Sequence, residues 1–273
     1  FIVWTSSTPL VFGIGLLMNN IQNLGRSVVS SLRSVGSISV LLYRAILNVR
    51  YIHTDRVLYI MQMYELGIRA MPLVIVISVF SGAVAGWQGA YQLSGKLPVT
   101  FLGSAIATGI LVEMGPVLTA LVLAGRNGSS IAAEIATMVV TEQVDALEAM
   151  AINPIRHLVT PRVITMIIMM PLLVAVGDIV AIFSGAWVVD AFYNINFDTY
   201  FNSIHAHFIL ADDIYPGLFK ALSFGLSVGL VSCWVGLKAT KGASGVGKAA
   251  IQAFVYSSAT VLVGDFIVAI IVF

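Results

Sequence analysis

Five runs of apolar residues, each long enough for a helix to cross a bilayer, dominate this sequence. A hydrocarbon core of roughly 30 Å takes about 20 helical residues. The chain is 59% hydrophobic and only 10% charged, which lies outside the range of soluble domains. The sequence therefore predicts an all-α membrane protein with five transmembrane helices: Pro72–Leu93, Phe101–Ala124, Pro161–Val189, Pro216–Leu237 and Ala249–Phe273.

The first 71 residues form a separate region before the five-span domain of residues 72–273. Leu10–Met18 is apolar but too short to cross. From Ile21 onward, apolar residues recur at helical spacing and arginines interrupt them, a pattern typical of a helix in the headgroup plane. We predict an N-terminal interfacial amphipathic helix, with a helix packed on the bundle as the alternative.

The basic residues are unevenly distributed between the two ends of the predicted spans. If the N-terminal region is cytoplasmic, only Lys96 and Lys220 of the 14 Lys and Arg residues fall on the other side. Cytoplasmic segments are enriched in Lys and Arg. We therefore expect a cytoplasmic N-terminus and a C-terminus outside.

Small residues recur every fourth position in three of the spans, and the stripe of the fourth span comprises Gly225 and Gly229. Such stripes let helices approach closely within lipid. They predict a tight bundle or a dimer, and the other two stripes comprise Ser78, Gly82, Gly86 and Ala90 in the first span and Gly177, Ala181 and Gly185 in the third.

Glu113 lies about halfway through the second span and is followed by Gly115 and Pro116. A carboxylate at this depth costs about 2.5–3.5 kcal/mol on insertion scales, so it is expected to face protein or a wet cavity. Pro116 lacks an N–H and frees the carbonyl of Val112, so we predict a helix break at Gly115 and Pro116. We interpret Glu113 as a polar point in a substrate cavity, with a structural interhelical hydrogen bond as the alternative.

Three other charges lie within the spans: Asp178, Lys220 and Asp265. Lys220 and Asp265 both fall in the outer half of their spans, so either an ion pair between the fourth and fifth spans or a cavity role fits them. We assign Asp178 mainly to structure.

Trp87, Gln88 and Tyr91 close the first span at its outer end. Aromatic residues at this level commonly anchor a helix at the interface. We include all three in the predicted cavity wall and keep the anchor role as the alternative.

Ser129–Ala151 reads as a soluble amphipathic helix that follows an exit from the membrane at Gly125–Arg126. Its apolar stripe comprises Val140, Val144, Leu147 and Ala151, and no Lys or Arg occurs between Arg126 and Arg156. Anionic lipid repels an acidic face, so we predict that this helix docks in a basic groove of a cytoplasmic protein. The charged residues are Glu134, Glu142, Asp145 and Glu148.

Catalytic and nucleotide motifs are not evident. GASGVGKA at Gly242–Ala249 resembles a phosphate-binding loop, but Ala249 replaces the hydroxyl residue that binds magnesium and we place the segment in a loop between spans. A net charge of +1 argues against nucleic acid as a partner. We predict no catalytic residue, no metal site and no cofactor in this chain.

Motifs in chain order over about residues 60–273 resemble the MlaE/YrbE permease family of ABC transporters associated with MCE-domain proteins. Val112 departs from the family pattern, which often has Arg there. The matching residues are Trp87-Gln-Gly89, Glu113-Met-Gly-Pro116, Ala124-Gly-Arg126, Gly128-Ser129, Ala133-Glu134-Ile135, Thr141-Glu142-Gln143, Met150-Ala-Ile-Asn-Pro154, Pro161-Arg162, Pro171-Leu-Leu173 and Gly264-Asp265-Phe266.

The resemblance implies a homodimeric permease with a lipid cavity at the dimer interface near Glu113, Lys220 and Asp265. It also implies cytoplasmic ATPase subunits, which hold ATP and Mg²⁺, docked on a cytoplasmic coupling helix within residues 126–160. Glu134, Glu142, Gln143 and Glu148 fall in this coupling segment. An MCE-domain protein on the outer side would exchange lipid with the cavity.

We therefore expect a subunit of an ATP-driven phospholipid transporter rather than an enzyme, in a bacterial inner membrane or, alternatively, a chloroplast inner envelope. The competing hypothesis is an ion- or proton-coupled transporter or channel that uses Glu113, Asp178 and Asp265.

Overall fold

The computed structural model describes residues 29, 32–51, 55–93, 98–207, 214–240 and 242–272, and the regular elements among them are all helical. The predicted all-α class is thereby confirmed. The chain divides into two compact units, Phe1–Arg44 and Ala45–Phe273. The apolar segment Leu10–Met18 lies outside the described residues.

Eleven helices are described. They are α1 (Leu32–Tyr51), α2 (Arg56–Leu66), α3 (Met71–Leu93), α4 (Leu102–Gly109), α5 (Gly115–Leu123), α6 (Ser129–Val140), α7 (Gln143–Ala149), α8 (Thr160–Tyr193), α9 (Phe197–His207), α10 (Tyr215–Leu237) and α11 (Ala243–Val272).

Six helical segments of the described chain are long and apolar enough to cross a membrane, against the five predicted. The additional segment is α1, and its interfacial position stays a prediction. The first predicted span begins earlier than expected, because a 3₁₀ turn at Ile68–Ala70 joins α2 to α3 in one segment, Arg56–Leu93. Pro72 is tolerated inside it because it stands in the first turn of α3, just after the 3₁₀ turn.

The helix of the second span continues to Val140, so the expected separation between this span and a soluble helix is wrong, whereas the membrane exit at Gly125–Arg126 stays a prediction. A π-helical turn at Ala124–Gly128 joins α5 directly to α6. The reason is packing: α6 is fully buried along one face, and its small side chains allow close contact with α10 and α11. The buried residues of this face are Ile131, Ala132, Ile135 and Ala136.

The predicted single helix Ser129–Ala151 is wrong as well. Its chain turns sharply after Val140, where Glu142 has the left-handed φ of 59°. The short helix α7 follows, and Ala151 has a second left-handed φ of 58°. The residues of the expected apolar stripe are therefore divided among α6, which ends at Val140, α7, which holds Val144 and Leu147, and the turn after it, which holds Ala151.

The small-residue stripes of the first and third spans pack on each other, which confirms the close approach predicted for them. A Cβ added to Gly86 would lie 2.6 Å from the carbonyl oxygen of Gly185. A Cβ added to Gly82 would collide with the carbonyl oxygen of Ala181. Glycine is required at these positions because backbone meets backbone.

The helix α9 packs beside α4 at the end of the bundle where α3 ends and α4 begins. Ser104 donates its backbone N–H to the Ser203 hydroxyl oxygen at 3.0 Å. Tyr200 is almost completely buried there, and burial raises the pKa of its phenol above the ordinary range. At the opposite end, most of Gly242–Ala249 forms the first turns of α11 rather than the loop that we expected.

Candidate functional site

The helix that carries Glu113 changes its winding at that residue. A π-helical turn at Ile110–Met114 contains Glu113 and leads into α5. Pro116 stands in the first turn of α5, where it offers no N–H. The predicted break at Gly115 and Pro116 is thus a change of helix type within a continuous segment, and such π turns are frequent at functional sites.

Three charged side chains from three helices meet beside this turn. The Lys220 ammonium lies 2.6 Å from Glu113 Oε1 and 2.9 Å from Asp265 Oδ1. The structure thus contains the Lys220–Asp265 ion pair that the sequence allowed, and it adds Glu113 to it. We call these three residues the charged cluster.

Close packing brings α10 near the π turn. A Cβ added to Gly217 would collide with the carbonyl oxygen of Leu111 and lie 3.5 Å from Pro116 Cγ. Gly217 is one helical turn before Lys220, so its missing side chain lets α10 approach the π turn.

The charged cluster is electrically unbalanced. It has two carboxylates for one ammonium, and Lys220 is fully buried, whereas 45% of the Glu113 side chain and 23% of the Asp265 side chain are exposed. A buried ammonium is stable only when it is paired. Lys220 is therefore stabilised by two carboxylates, and Glu113 is the most exposed residue of the charged cluster.

Asp178 is not part of the charged cluster. It packs against Gly115, which directly follows the π turn. A Cβ added to Gly115 would collide with Asp178 Oδ1 and lie 3.0 Å from the carbonyl oxygen of Ile110. This oxygen of Asp178 is buried and has no hydrogen-bond partner among the described residues. Beside it is a cavity of ≈ 10 Å³ that Ser78 and Thr119 also line, which is about the room for one water molecule.

The aromatic residues predicted for the cavity wall are exposed. Trp87 packs edge-on against Phe192 at 4.9 Å and Tyr193 at 5.6 Å between ring centroids. Tyr91 is 69% exposed, and Gln88 is exposed beside it. These contacts fit an aromatic belt at the end of the bundle, and the cavity role of the three residues stays a prediction.

The predicted coupling residues separate into two groups. Glu134 is on α6, and its carboxylate accepts hydrogen bonds from Arg162 and from Ser130, both at 3.0 Å. Glu142, Gln143, Asp145 and Glu148 are exposed on or beside α7. Sequence reasoning missed the exposed apolar residues that follow, Met150 at 62% and Ile152 at 40%. The turn between α6 and α8 therefore presents both acidic and apolar groups, and its coupling role stays a prediction.

A larger cavity of ≈ 190 Å³ lies where α2 meets the π turn Ala124–Gly128. Its polar wall is built by Asn127, which is buried and donates its side-chain N–H to the carbonyl oxygen of Leu66 at 2.7 Å. The Asn127 oxygen accepts from Arg126 at 2.7 Å. The sequence did not predict this cavity, because the contact between Asn127 and Leu66 joins residues 61 positions apart. The cavity is lined by Gln62, Glu65, Leu66, Arg126, Asn127, Ser130 and Glu134.

Membrane-length helices and a charged cluster among their apolar surfaces define a multi-pass membrane protein with a polar site inside its helical bundle. The Permease MlaE family matches residues 59–271. The chain belongs to this family of transporter permeases, which confirms the resemblance seen in the motifs.

Individual relatives agree with this assignment. A "Probable ABC transporter permease protein" of Rickettsia felis is 37% identical over 93% of this chain and 97% of the relative. The "Intermembrane phospholipid transport system permease protein MlaE" of Haemophilus influenzae is 31% identical over 94% of this chain and 99% of the relative. The chloroplastic protein TRIGALACTOSYLDIACYLGLYCEROL 1 of Arabidopsis thaliana is 32% identical over 76% of this chain and 59% of the relative.

Proposed function

We propose that this permease is the membrane-spanning subunit of an ATP-driven phospholipid transporter. It acts as a homodimer in a bacterial inner membrane, with its N-terminus in the cytoplasm and its C-terminus in the periplasm. Separate cytoplasmic ATPase subunits bind ATP and Mg²⁺, and a periplasmic MCE-domain protein exchanges lipid with the dimer. The Rickettsia relative, named as a probable ABC transporter permease, and the Haemophilus relative, named as a phospholipid transport permease, support this proposal.

The observation that carries the proposal is one continuous helical segment, Leu102–Val140. It holds Glu113 of the charged cluster about a third of the way along and ends directly at the exposed acidic turn around α7. A helix transmits displacement along its axis because its backbone hydrogen bonds resist compression. Movement of α7 by a docked ATPase therefore reaches the π turn at Ile110–Met114.

The charged cluster is the proposed contact for the lipid headgroup. Lys220 is paired with Glu113 and Asp265 in this structure. When the π turn shifts, Glu113 withdraws from Lys220, and the ammonium becomes available to a lipid phosphate. In the homodimer the exposed side of Glu113 faces the cavity between the two subunits.

Charge reversal on α7 tests the coupling. The complex is reconstituted in liposomes, and ATP-dependent transfer of a fluorescent phospholipid to the MCE-domain partner is measured. Glu148→Lys, alone and with Glu142→Lys, is expected to abolish both transfer and co-purification of the ATPase. The matched control is Asp198→Lys, an equal charge reversal at the exposed start of α9, and it is expected to transfer lipid normally. Full transfer by the double variant would refute the coupling.

The ion- or proton-coupled alternative has less support. It needs a polar connection between Asp178 and the charged cluster, yet the cavity beside Asp178 is small and is lined by neither Glu113, Lys220 nor Asp265. Liposomes that contain this chain without an ATPase decide the question. Substrate-free proton or cation flux in such liposomes would favour the alternative and contradict our proposal.

A further inference from the structure

The ≈ 190 Å³ cavity at Arg126 is lined by no residue of the charged cluster, and not every charged side chain in its wall has a partner of opposite charge. Two carboxylates line it, and each already has an arginine: Glu65 is 2.8 Å from Arg69 and Glu134 is 3.0 Å from Arg162. Arg126 instead bonds to the neutral amide of Asn127. Within the described residues, no carboxylate forms an ion pair with Arg126, so its charge is left for a ligand.

The position of Arg126 along its helix corresponds to a headgroup layer. Arg126 follows Leu102, the first residue of α4, by 24 residues. At a rise of about 1.5 Å per residue, this is about 36 Å along the helix. A hydrocarbon core is about 30 Å thick, and headgroups extend the bilayer to about 40–45 Å. If α4 begins at one edge of the core, Arg126 lies beyond the other edge, at the level of lipid phosphates.

The surface beside the cavity carries two exposed apolar side chains, one on either side of Glu65. Met61, Glu65 and Ile68 share one stripe at helical spacing, and Met61 is 58% and Ile68 is 54% exposed. A ligand held at Arg126 can therefore extend an apolar portion along α2. The cavity itself is smaller than the roughly 300–1,000 Å³ of pockets that enclose drug-sized ligands, so it has room for a headgroup and not for acyl chains.

We propose that this cavity binds the phosphodiester of a phospholipid from the leaflet nearer to α7, with the guanidinium of Arg126 as the phosphate ligand. Arginine suits this task because its planar fork donates two hydrogen bonds to one phosphate. The two carboxylates in the wall disfavour headgroups that carry a second negative charge. This site goes beyond the proposed transport function, because it needs neither ATP nor movement of the π turn.

Headgroup cross-linking tests the site. Phosphatidylglycerol with a diazirine in its headgroup is titrated into the full-length chain, purified in detergent with its partner subunits and without ATP. Labelled peptides are then mapped by mass spectrometry. We expect label on α2 and on the start of α6, and Arg126→Gln is expected to lower it about tenfold at subsaturating lipid, the loss of a charge-assisted hydrogen bond. Label elsewhere in the chain is expected to stay unchanged, which also shows that the variant is folded.

Two further variants complete the test. Arg126→Lys keeps the charge and is expected to recover part of the label. Arg50→Gln removes an exposed arginine that does not line the cavity and is expected to label like the wild type. Equal labelling of these peptides in wild type and Arg126→Gln would overturn the proposal.

Competition distinguishes a lipid from free phosphate. Unlabelled phosphatidylglycerol is expected to displace the label, whereas dioleoylglycerol, which has no phosphate, is not. Inorganic phosphate in molar excess is expected to compete weakly, because it lacks the apolar portion that lies along α2. Displacement by dioleoylglycerol, or displacement by inorganic phosphate as complete as that by phosphatidylglycerol, would contradict a phospholipid site. Transport activity does not enter these measurements, so a failure here leaves the coupling proposal intact.

Discussion

The ammonium group of Lys220 lies 2.6 Å from a carboxylate oxygen of Glu113, although Lys220 is fully buried and 45% of the Glu113 side chain is exposed. The pair therefore joins the interior of the bundle to its surface. Asp265 stabilises the same ammonium at 2.9 Å and is less exposed than Glu113. Because the ammonium has two partners, it is stable in apolar surroundings even when one partner moves.

Removal of the buried ammonium is expected to destabilise the chain. Lys220→Met leaves two neighbouring carboxylates without a counter-charge, of which Asp265 is mostly buried. Losing one partner of a buried ion pair costs about 3 kcal/mol at the lower end of the usual range, which is appropriate here because Glu113 keeps contact with solvent. The check is thermal unfolding of the purified chain in detergent, where the midpoint is expected to fall by several degrees.

A compensating variant gives this prediction its control. Lys220→Met combined with Glu113→Gln and Asp265→Asn has no net charge at the cluster. It is expected to unfold at a higher temperature than Lys220→Met alone, since the amides can hydrogen-bond to each other without repulsion. Equal midpoints for the wild type and Lys220→Met would contradict the structural importance of the pair.

Gly115→Ala is expected to destabilise the chain through Asp178. The added methyl group would occupy the space of Asp178 Oδ1, and overpacking of a tight interior typically costs about 1–3 kcal/mol. The measurement is again the unfolding midpoint. In an Asp178→Ala background the same glycine substitution is expected to cost less than half as much, because the colliding oxygen is gone.

Gly109 supplies the matched control for this cycle. It lies on the same helical segment, and a Cβ added to it meets nothing within 4 Å. Gly109→Ala is expected to be neutral or to stabilise the helix by up to about 1 kcal/mol, the difference in helix propensity. An equal cost of Gly115→Ala in both backgrounds would show that Asp178 is not the residue it meets.

A long-range ion pair at the start of α2 is expected to stabilise the contact between α2 and the segment before α8. Arg156 forms two hydrogen bonds to Asp55, at 2.9 Å and 3.2 Å, and its guanidinium lies 4.2 Å from the centre of the Tyr51 ring. Arg156→Gln and Asp55→Asn are expected to be non-additive in a double-mutant cycle on the unfolding midpoint.

The pair Arg69–Glu65 is the reference for that cycle. It lies within one helical segment at four-residue spacing, and both its side chains are more exposed than those of Arg156 and Asp55. Its coupling is expected to be smaller, because solvent screens exposed pairs. A coupling for Arg156–Asp55 no larger than this reference would contradict a stabilising role.

Hydropathy and residue spacing predicted the parts of the fold that depend on local composition. The apolar runs form helices. The stripe of small residues around Gly82 packs on the stripe around Gly177, because neither has side chains large enough to keep the two backbones apart. The π turns were not predictable in this way. One extra residue within a helix leaves no mark in composition, and Pro116 indicated only that the winding changes nearby.

Packing between helices determines the features that local sequence patterns did not predict. The start of α6 reads as soluble because Glu134 interrupts it, yet its opposite face, with Ala132 and Ala136, is buried against α10 and α11. The contact of Asn127 with Leu66 depends on how α2 packs, so no local pattern contains it. The charged cluster was partly predictable: residue position allowed Lys220 with Asp265, and only the family resemblance grouped Glu113 with them, without indicating a direct contact with Lys220.

Relief of backbone strain in the turn after α7 is expected to stabilise the chain. Ala151 adopts a φ of 58°, which costs a residue with a Cβ about 1 kcal/mol relative to glycine. Ala151→Gly is therefore expected to raise the unfolding midpoint slightly and to leave ATPase binding unchanged, because no charge or apolar side chain of α7 is altered. The matched control is Ala149→Gly, the last residue of α7, where glycine lowers helix stability by up to about 1 kcal/mol. Destabilisation of both variants alike would indicate that the turn is not strained at Ala151.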